Sequence, residues 1–302
     1  MNPIVKTSTA AVMPSTGIGD GLVMATLCQN LANNGYVTTL YSTPIYSLRE
    51  WFPSFIIERY PDSNEWLDIC LKNDLVVVQN GFIHLKSNPI PKDAQFKHVK
   101  HFSLWQLDKS KPLVDNLIDM CHTDFHLKDV TKNNGIIVPN SYVHKKYPKR
   151  VIIHPASATL ERAWPQKKYV KLANKLKKDG FDPAFIVSPE EKPLYHEIEK
   201  MGFKLNTFSS LKDVVGFINE SGYLIGNDSG LGHMASCVGI PTVTLFAYSN
   251  RVNIWRPGWS PSIGVIAPPY VITKKLRFLL WKYCITVNQV YKAFKKLYNE
   301  LN

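Results

Sequence analysis

Three short stretches carry side chains that could do chemistry on a phosphate-bearing substrate. The first is Pro14-Ser15-Thr16-Gly17-Ile18-Gly19-Asp20-Gly21. Gly17 and Gly19 let the backbone approach a ligand closely. Asp20 places a carboxylate in the first turn of a helical pattern, where it favours the helix dipole. The second is Ala156-Ser157-Ala158-Thr159 followed by Leu160-Glu161-Arg162-Ala163-Trp164-Pro165. Arg162 there reads, on its own, as a surface charge. The third is Gly226-Asn227-Asp228-Ser229-Gly230, with His233 one turn further on. Free N–H groups at a helix start favour an anion. The alternative reading is an Asp or Ser N-cap with a half-buried histidine.

Each stretch needs a strand before it and a helix after it, and the sequence supplies both. Thr9 to Met13 is a short apolar strand, and Leu22, Ala25, Leu27 and Leu31 carry a helix to a stop at Asn34-Gly35. Arg150 to His154 starts a fresh strand ahead of the second stretch, and Gln166 to Lys178 is a basic helix behind it. Tyr223 to Ile225 leads into the third, followed by a small-residue helix from Leu231 to Val238 and a second strand from Thr242 to Ala247. Further strands are expected at Tyr36–Tyr41, Leu75–Val78, His98–Leu104, Phe185–Pro189 and Ile263–Ile266. Helices are expected at Tyr46–Trp51, Leu67–Leu71, Leu113–Cys121, Tyr195–Met201 and Leu211–Asn219. Such alternation means parallel sheets covered on both faces. Gly17-Ile18-Gly19 lacks the third glycine of a dinucleotide-binding fingerprint. The polar, proline-bearing run near 131–150 divides the chain into domains of 1–147 and 148–302. The irregular segment from Phe82 to Lys100 is either an acceptor-contacting loop or a solvated one.

With 302 residues, 45% of them hydrophobic, the chain can build two domains of about 150 residues with a core in each. A net charge of +12 points to an acidic partner: a phosphorylated ligand, an anionic membrane surface or nucleic acid. The five cysteines are widely spaced with no CxxC, which reads as free thiols in a reducing compartment. No D-x-D and no His/Cys cluster calls for a metal, so no cofactor is expected. The N-terminal Met1 to Pro14 lacks the apolar core of a signal peptide, and no run is long enough to span a bilayer. A cytoplasmic protein is expected.

The run from Gly226 to Phe246 closely resembles the signature of glycosyltransferase family 9, the heptosyltransferases of the lipopolysaccharide inner core: D-[ST]-G-x-x-H-x-A, a Gly-x-Pro, and an apolar strand ending in Phe. Asp20 falls on the Asp of the family's G-x-G-D loop, its proposed catalytic base, and Arg162 on the Lys of its K-x-W-P phrase. Ile285 to Val290 resembles the closing strand-to-helix phrase. Tyr248-Ser249-Asn250 departs from the usual Gly-Pro-Thr. The resemblance implies a GT-B architecture, two Rossmann-like domains with parallel sheets facing across a cleft, whose final helix packs back on the first domain. It further implies a metal-independent, inverting transfer of heptose from a nucleotide-sugar donor, ADP-heptose, to lipopolysaccharide. Asp20 would be the base, and Arg162, Asp228, Ser229, Gly230 and His233 would hold the donor. Work at the inner face of the inner membrane would bring peripheral contact with anionic lipid, and no nucleic acid partner is expected. The alternatives are a GT-B enzyme acting on protein or nucleic acid, and a nucleotide-binding module without catalysis, which would not need Asp20.

Overall fold

A computed structural model describes residues 8–62, 64–79, 97–102, 107–157, 159–247, 251–268 and 280–302. It forms two compact units, one of residues up to Asp108 with Leu113–Ile137, the other of Lys109–Pro112 with Val138–Asn302.

The first unit runs β1 (Thr9–Met13), α1 (Ile18–Asn33), β2 (Val37–Tyr41), a 3-10 turn (Thr43–Trp51), β3 (Ile56–Glu58), α2 (Trp66–Lys72), β4 (Leu75–Gln79), β5 (Val99–Phe102) and α3 (Leu113–Thr123). Its sheet has the order β3-β2-β1-β4-β5, parallel throughout. In β1, Ala10, Ala11, Val12 and Met13 are all fully buried, as a strand covered on both faces requires.

The second unit runs β6 (Tyr147–His154), a 3-10 turn (Leu160–Arg162), α4 (Gln166–Lys178), β7 (Asp182–Ile186), a 3-10 turn (Lys192–Tyr195), α5 (His196–Lys200), β8 (Leu205–Asn206), α6 (Leu211–Asn219), β9 (Ser221–Asn227), α7 (Gly230–Cys237), β10 (Thr242–Phe246), α8 (Val252–Trp255), β11 (Ser262–Ile266) and α9 (Val287–Leu301). Its order is β11-β10-β9-β6-β7-β8, again parallel. Each sheet thus places its first strand beside its fourth. That is the doubly wound order, with a topological switch point where ligands gather beyond the strand ends.

Some local expectations shift. The strand expected at Phe185–Pro189 is β7, displaced toward the N-terminus, and the short β3, β8 and α8 carry too little pattern to be read from sequence. The expected Tyr195–Met201 helix divides into the 3-10 turn and α5. Residues 103–104 of the expected strand at His98–Leu104, residues 80–96 and residues 248–250 lie outside those described.

The second unit begins ahead of the expected 147/148 division. His144 Nδ1 lies 3.0 Å from Asn219 Oδ1, the Asn219 amide donates to the Tyr142 carbonyl at 3.1 Å, and the Lys145 N–H donates to the Asn219 carbonyl at 2.8 Å. The 142–145 segment is therefore fastened to the end of α6. The last helix, expected to pack back on the first domain, places Val290, Phe294 and Leu297 in the core of the second unit beside Phe181, Tyr223 and Leu245. A capping box between Thr286 and Gln289 starts it.

Candidate active site

In the first unit the switch point lies between β1 and β4. The loop after β1 carries the glycines and leads into α1, whose first turn contains Asp20. The end of β4 presents Gln79, a buried amide at the close of an otherwise apolar strand. Its Nε2 donates to Asp20 Oδ1 at 2.6 Å, and its Oε1 accepts from the Ser15 N–H at 3.0 Å. One side chain therefore fixes both the loop and the carboxylate. Gly17 is required for the same reason: a Cβ there would lie 2.6 Å from Asp20 Oδ2. Gly19 is buried within the first turn of α1. Tyr60 completes this corner, its hydroxyl donating to the Ser15 carbonyl at 2.7 Å. Burial pushes the Tyr60 phenol up to about 12; a hydrogen bond to Ser42 opposes the rise and the charge of Asp20 adds to it.

The second unit repeats the device between β6 and β9. Asn227 ends β9 and is almost fully buried. Its Oδ1 accepts from the Trp164 N–H at 3.1 Å, and its Nδ2 donates to the Pro155 carbonyl at 2.8 Å and the Ala156 carbonyl at 3.3 Å. Both ends of the loop after β6 are thereby tied to the last residue of β9, and Arg162 is carried between them. Arg162 Nη2 then lies 3.2 Å from Asp228 Oδ2. Arg251, which follows β10, places its own Nη2 3.4 Å from that same oxygen. The residues after three adjacent strands, β6, β9 and β10, thus supply one carboxylate and two guanidiniums.

Asp228 does not cap α7; Ser229 holds that position. The Ser229 hydroxyl makes no capping bond, and its buried oxygen has no partner among the described residues. His233 is buried, 4% exposed, and not half-buried as the capping reading supposed. Its Nδ1 also has no partner among the described residues, and Trp255 and Trp259 stand edge-on to the ring at 6.3 and 6.1 Å. Burial pushes the His233 imidazole down to about 4, against an opposing pull from Asp228 and with a smaller push from Arg251. The ring is therefore neutral near pH 7 and offers a hydrogen bond but no charge. Two unpartnered polar groups at a helix N-terminus beside two guanidiniums form a place for an anion.

The loop after β6 is also tied to the far end of the chain. Trp164 Nε1 donates to the Ile285 carbonyl at 3.1 Å, and Trp281 Nε1 donates to the Glu161 carbonyl at 3.2 Å. Lys168 Nζ donates to the carbonyls of Lys282, Tyr283 and Ile285 at 2.8–3.0 Å, closing the C-terminus of a helical turn over residues 280–284.

Two doubly wound parallel-sheet units in one chain are the building blocks of the GT-B class of glycosyltransferase folds. Residues 96–277, more than half of the chain, match the model of glycosyltransferase family 9 (heptosyltransferase), and the chain belongs to that family. The lipopolysaccharide core heptosyltransferase OpsX of Haemophilus influenzae is 28% identical over 113 residues, covering 35% of this chain and 32% of that protein. The chain thus matches about a third of that relative's length. The solved glycosyl transferase family 9 structure from Veillonella parvula superposes with a TM-score of 0.76 at 17% identity, covering 98% of each chain. The E. coli heptosyltransferase WaaC with ADP gives 0.68 at 13% identity, covering 96% of this chain and 99% of that one. These structural likenesses establish the fold.

Of the residues expected from sequence, Arg162, Asp228, Ser229 and His233 lie in one cluster with Gly230 opening α7. Asp20, Gly17 and Gly19 form the corner of the first unit. Sequence reasoning missed Gln79, Asn227 and Arg251. The first two share one local mark, an amide closing an apolar strand just before a loop, which by itself names no partner. Among the described residues there is no group of three or more His, Cys, Asp or Glu able to hold a metal ion. No helix of the described residues is long and apolar enough to cross a membrane.

Proposed function

We propose that the protein is an inverting glycosyltransferase that moves heptose from ADP-heptose onto a lipopolysaccharide core acceptor without a divalent metal. The observation that carries this reading is the cluster at the β6/β9 switch point, where Arg162 is held by Asp228 at the α7 N-terminus beside unpartnered Ser229 Oγ and His233 Nδ1. A sugar leaves a nucleoside diphosphate only if the departing phosphates are stabilised as their charge grows. Guanidiniums and helix N–H groups supply that stabilisation in a fixed geometry. Asp228, facing two cations, orients them and does not itself hold phosphate. In this reading the second unit holds the donor, and Asp20 of the first unit takes the proton from the acceptor hydroxyl as its oxygen bonds to the anomeric carbon. Attack opposite to the leaving diphosphate inverts that carbon. His233, neutral near pH 7, donates or accepts a hydrogen bond at the phosphates. The family, together with a net charge of +12, supports an anionic acceptor and peripheral work at the cytoplasmic face of the inner membrane.

The test is a thermal-shift panel of ADP, GDP and UDP in the presence of EDTA, followed by transfer from ADP-heptose to lipopolysaccharide from core-truncated strains. A hundredfold excess of ligand over its dissociation constant stabilises the native state by about 2.7 kcal/mol. ADP should do so in EDTA, and Arg162→Ala should weaken it strongly. If no nucleoside diphosphate stabilises the protein without metal, the assignment fails.

A further inference from the structure

Arg251 lies just past Tyr248-Ser249-Asn250, where the chain departs from the family's usual Gly-Pro-Thr. It follows β10 and begins the turn into α8. Its guanidinium shares a single carboxylate oxygen, Asp228 Oδ2, with Arg162. One anion against two cations leaves the cluster with an excess positive charge. Its Nε is buried with no partner among the described residues, so part of its hydrogen-bonding capacity is unspent in a place shielded from water. The guanidinium carbon lies 5.0 Å from the centre of the Trp255 ring. That cation–π contact steadies the guanidinium without consuming its donors. Beside it stands the α7 N-terminus, with the buried, unpartnered His233 Nδ1 close enough to Asp228 and Arg251 to feel both charges.

We infer that Arg251 is a second diphosphate-binding residue, which together with Arg162 grips the two phosphates of the donor, while Asp228 holds both forks ready before the donor arrives. This rests on the donor reading above and deepens it: the ligand is one with two linked phosphates, each met by its own guanidinium. Two forks on a common carboxylate can meet two linked phosphates. On ligand entry the donors turned toward Asp228 are shared with phosphate oxygens, and the spare Arg251 Nε gains an acceptor. Lysine at 251 would bring the charge but not the fork.

The experiment is calorimetric titration of ADP, inorganic pyrophosphate and adenosine into wild type, Arg251→Gln, Arg251→Lys and Arg162→Ala, in EDTA at two ionic strengths. Arg251→Gln should weaken ADP and pyrophosphate about ten- to hundredfold. Adenosine binding and melting temperature should stay near wild type. The salt dependence of ADP affinity should become shallower, since one screened charge has been removed. Arg251→Lys should recover only part of the loss. Unchanged ADP and pyrophosphate affinity in Arg251→Gln would overturn the inference and leave the donor reading standing. Equal loss of ADP and adenosine, or a lowered melting temperature with unchanged salt dependence, would make Arg251 a packing residue and overturn it as well. Failure of wild type to bind ADP or pyrophosphate at all would instead remove the donor reading.

Discussion

Asn227→Asp changes one buried group by a single atom type, yet should cost the second unit heavily, and in a pH-dependent way. Asn227 accepts from the Trp164 N–H and donates to the carbonyls of Pro155 and Ala156. An aspartate keeps the first bond, because a carboxylate oxygen accepts as well as an amide oxygen. It turns the donating nitrogen into a second oxygen facing two carbonyl oxygens. Two hydrogen bonds of about 1 kcal/mol each are lost, and a buried group is left unsatisfied at a further 1–3 kcal/mol. A total of about 3–5 kcal/mol lowers the melting temperature by about 6–20 °C for a domain of this size. The new carboxyl, buried and facing carbonyl oxygens, has a folded pKa above the ordinary value of about 3.9. Stability is therefore retained at and below about pH 4, where the protonated carboxyl can donate to the Pro155 carbonyl, and lost as pH rises through the folded pKa. The assay is thermal unfolding of wild type and variant from pH 4 to pH 8, with ADP affinity read in parallel. The gap between them should widen with pH, and ADP should bind more weakly at pH 8 as the Arg162 loop loosens. A gap that stays constant, or narrows with rising pH, refutes the hydrogen-bonding account of this loop.

Two further outcomes are expected. Asp20→Asn keeps an oxygen to accept from Gln79 Nε2, so folding and ADP affinity should stay near wild type while turnover falls about 10²–10⁴-fold; initial rates within about threefold of wild type would remove Asp20 from the mechanism. His233, pushed down to about 4 by burial, titrates near 6.5 in the unfolded chain. The stability it contributes is complete above about pH 6.5 and drains as pH falls toward about 4, so wild type should lose about 2–3 kcal/mol more than His233→Gln between pH 7 and pH 4.5. Urea titrations at both pH values measure this, and because His154 has the same sign of shift and is present in both proteins, it cancels.

The strand–loop–helix units were legible because parallel strands buried on both faces read as apolar runs, and because glycine, proline and small polar residues mark their ends. Asp20, Arg162 and the Asp228–His233 loop were legible because each lies where a strand gives way to a helix. What local pattern cannot show is pairing over distance. Gln79 meets Asp20 from 59 positions away, Asn227 meets Trp164 from 63 and Arg162 meets Asp228 from 66. In sequence each amide looks like a turn residue, and only strand order reveals it as the pin of a neighbouring loop. The pairing of Asp228 is hidden for a related reason. The sequence puts a carboxylate near the helix start, but its two arginine partners come from loops on either side of it. The start of the second unit was displaced likewise, because Tyr142 and His144 are bound to α6, far along the chain.

The ties from Trp164 and Lys168 to Ile285, and from Trp281 to Glu161, have a consequence for synthesis of the protein. The arginine that would meet the donor sits on a loop whose outer face is closed by residues some 120 positions later in translation. While the ribosome is still making that later segment, β6, β9 and α7 can already pair, but the Arg162 loop lacks its cover and its C-terminal anchors. A nascent chain released before residue 285 should therefore contain every side chain of the anion cluster and still hold Arg162 loosely. Binding competence at this cluster would therefore arrive late and abruptly during synthesis.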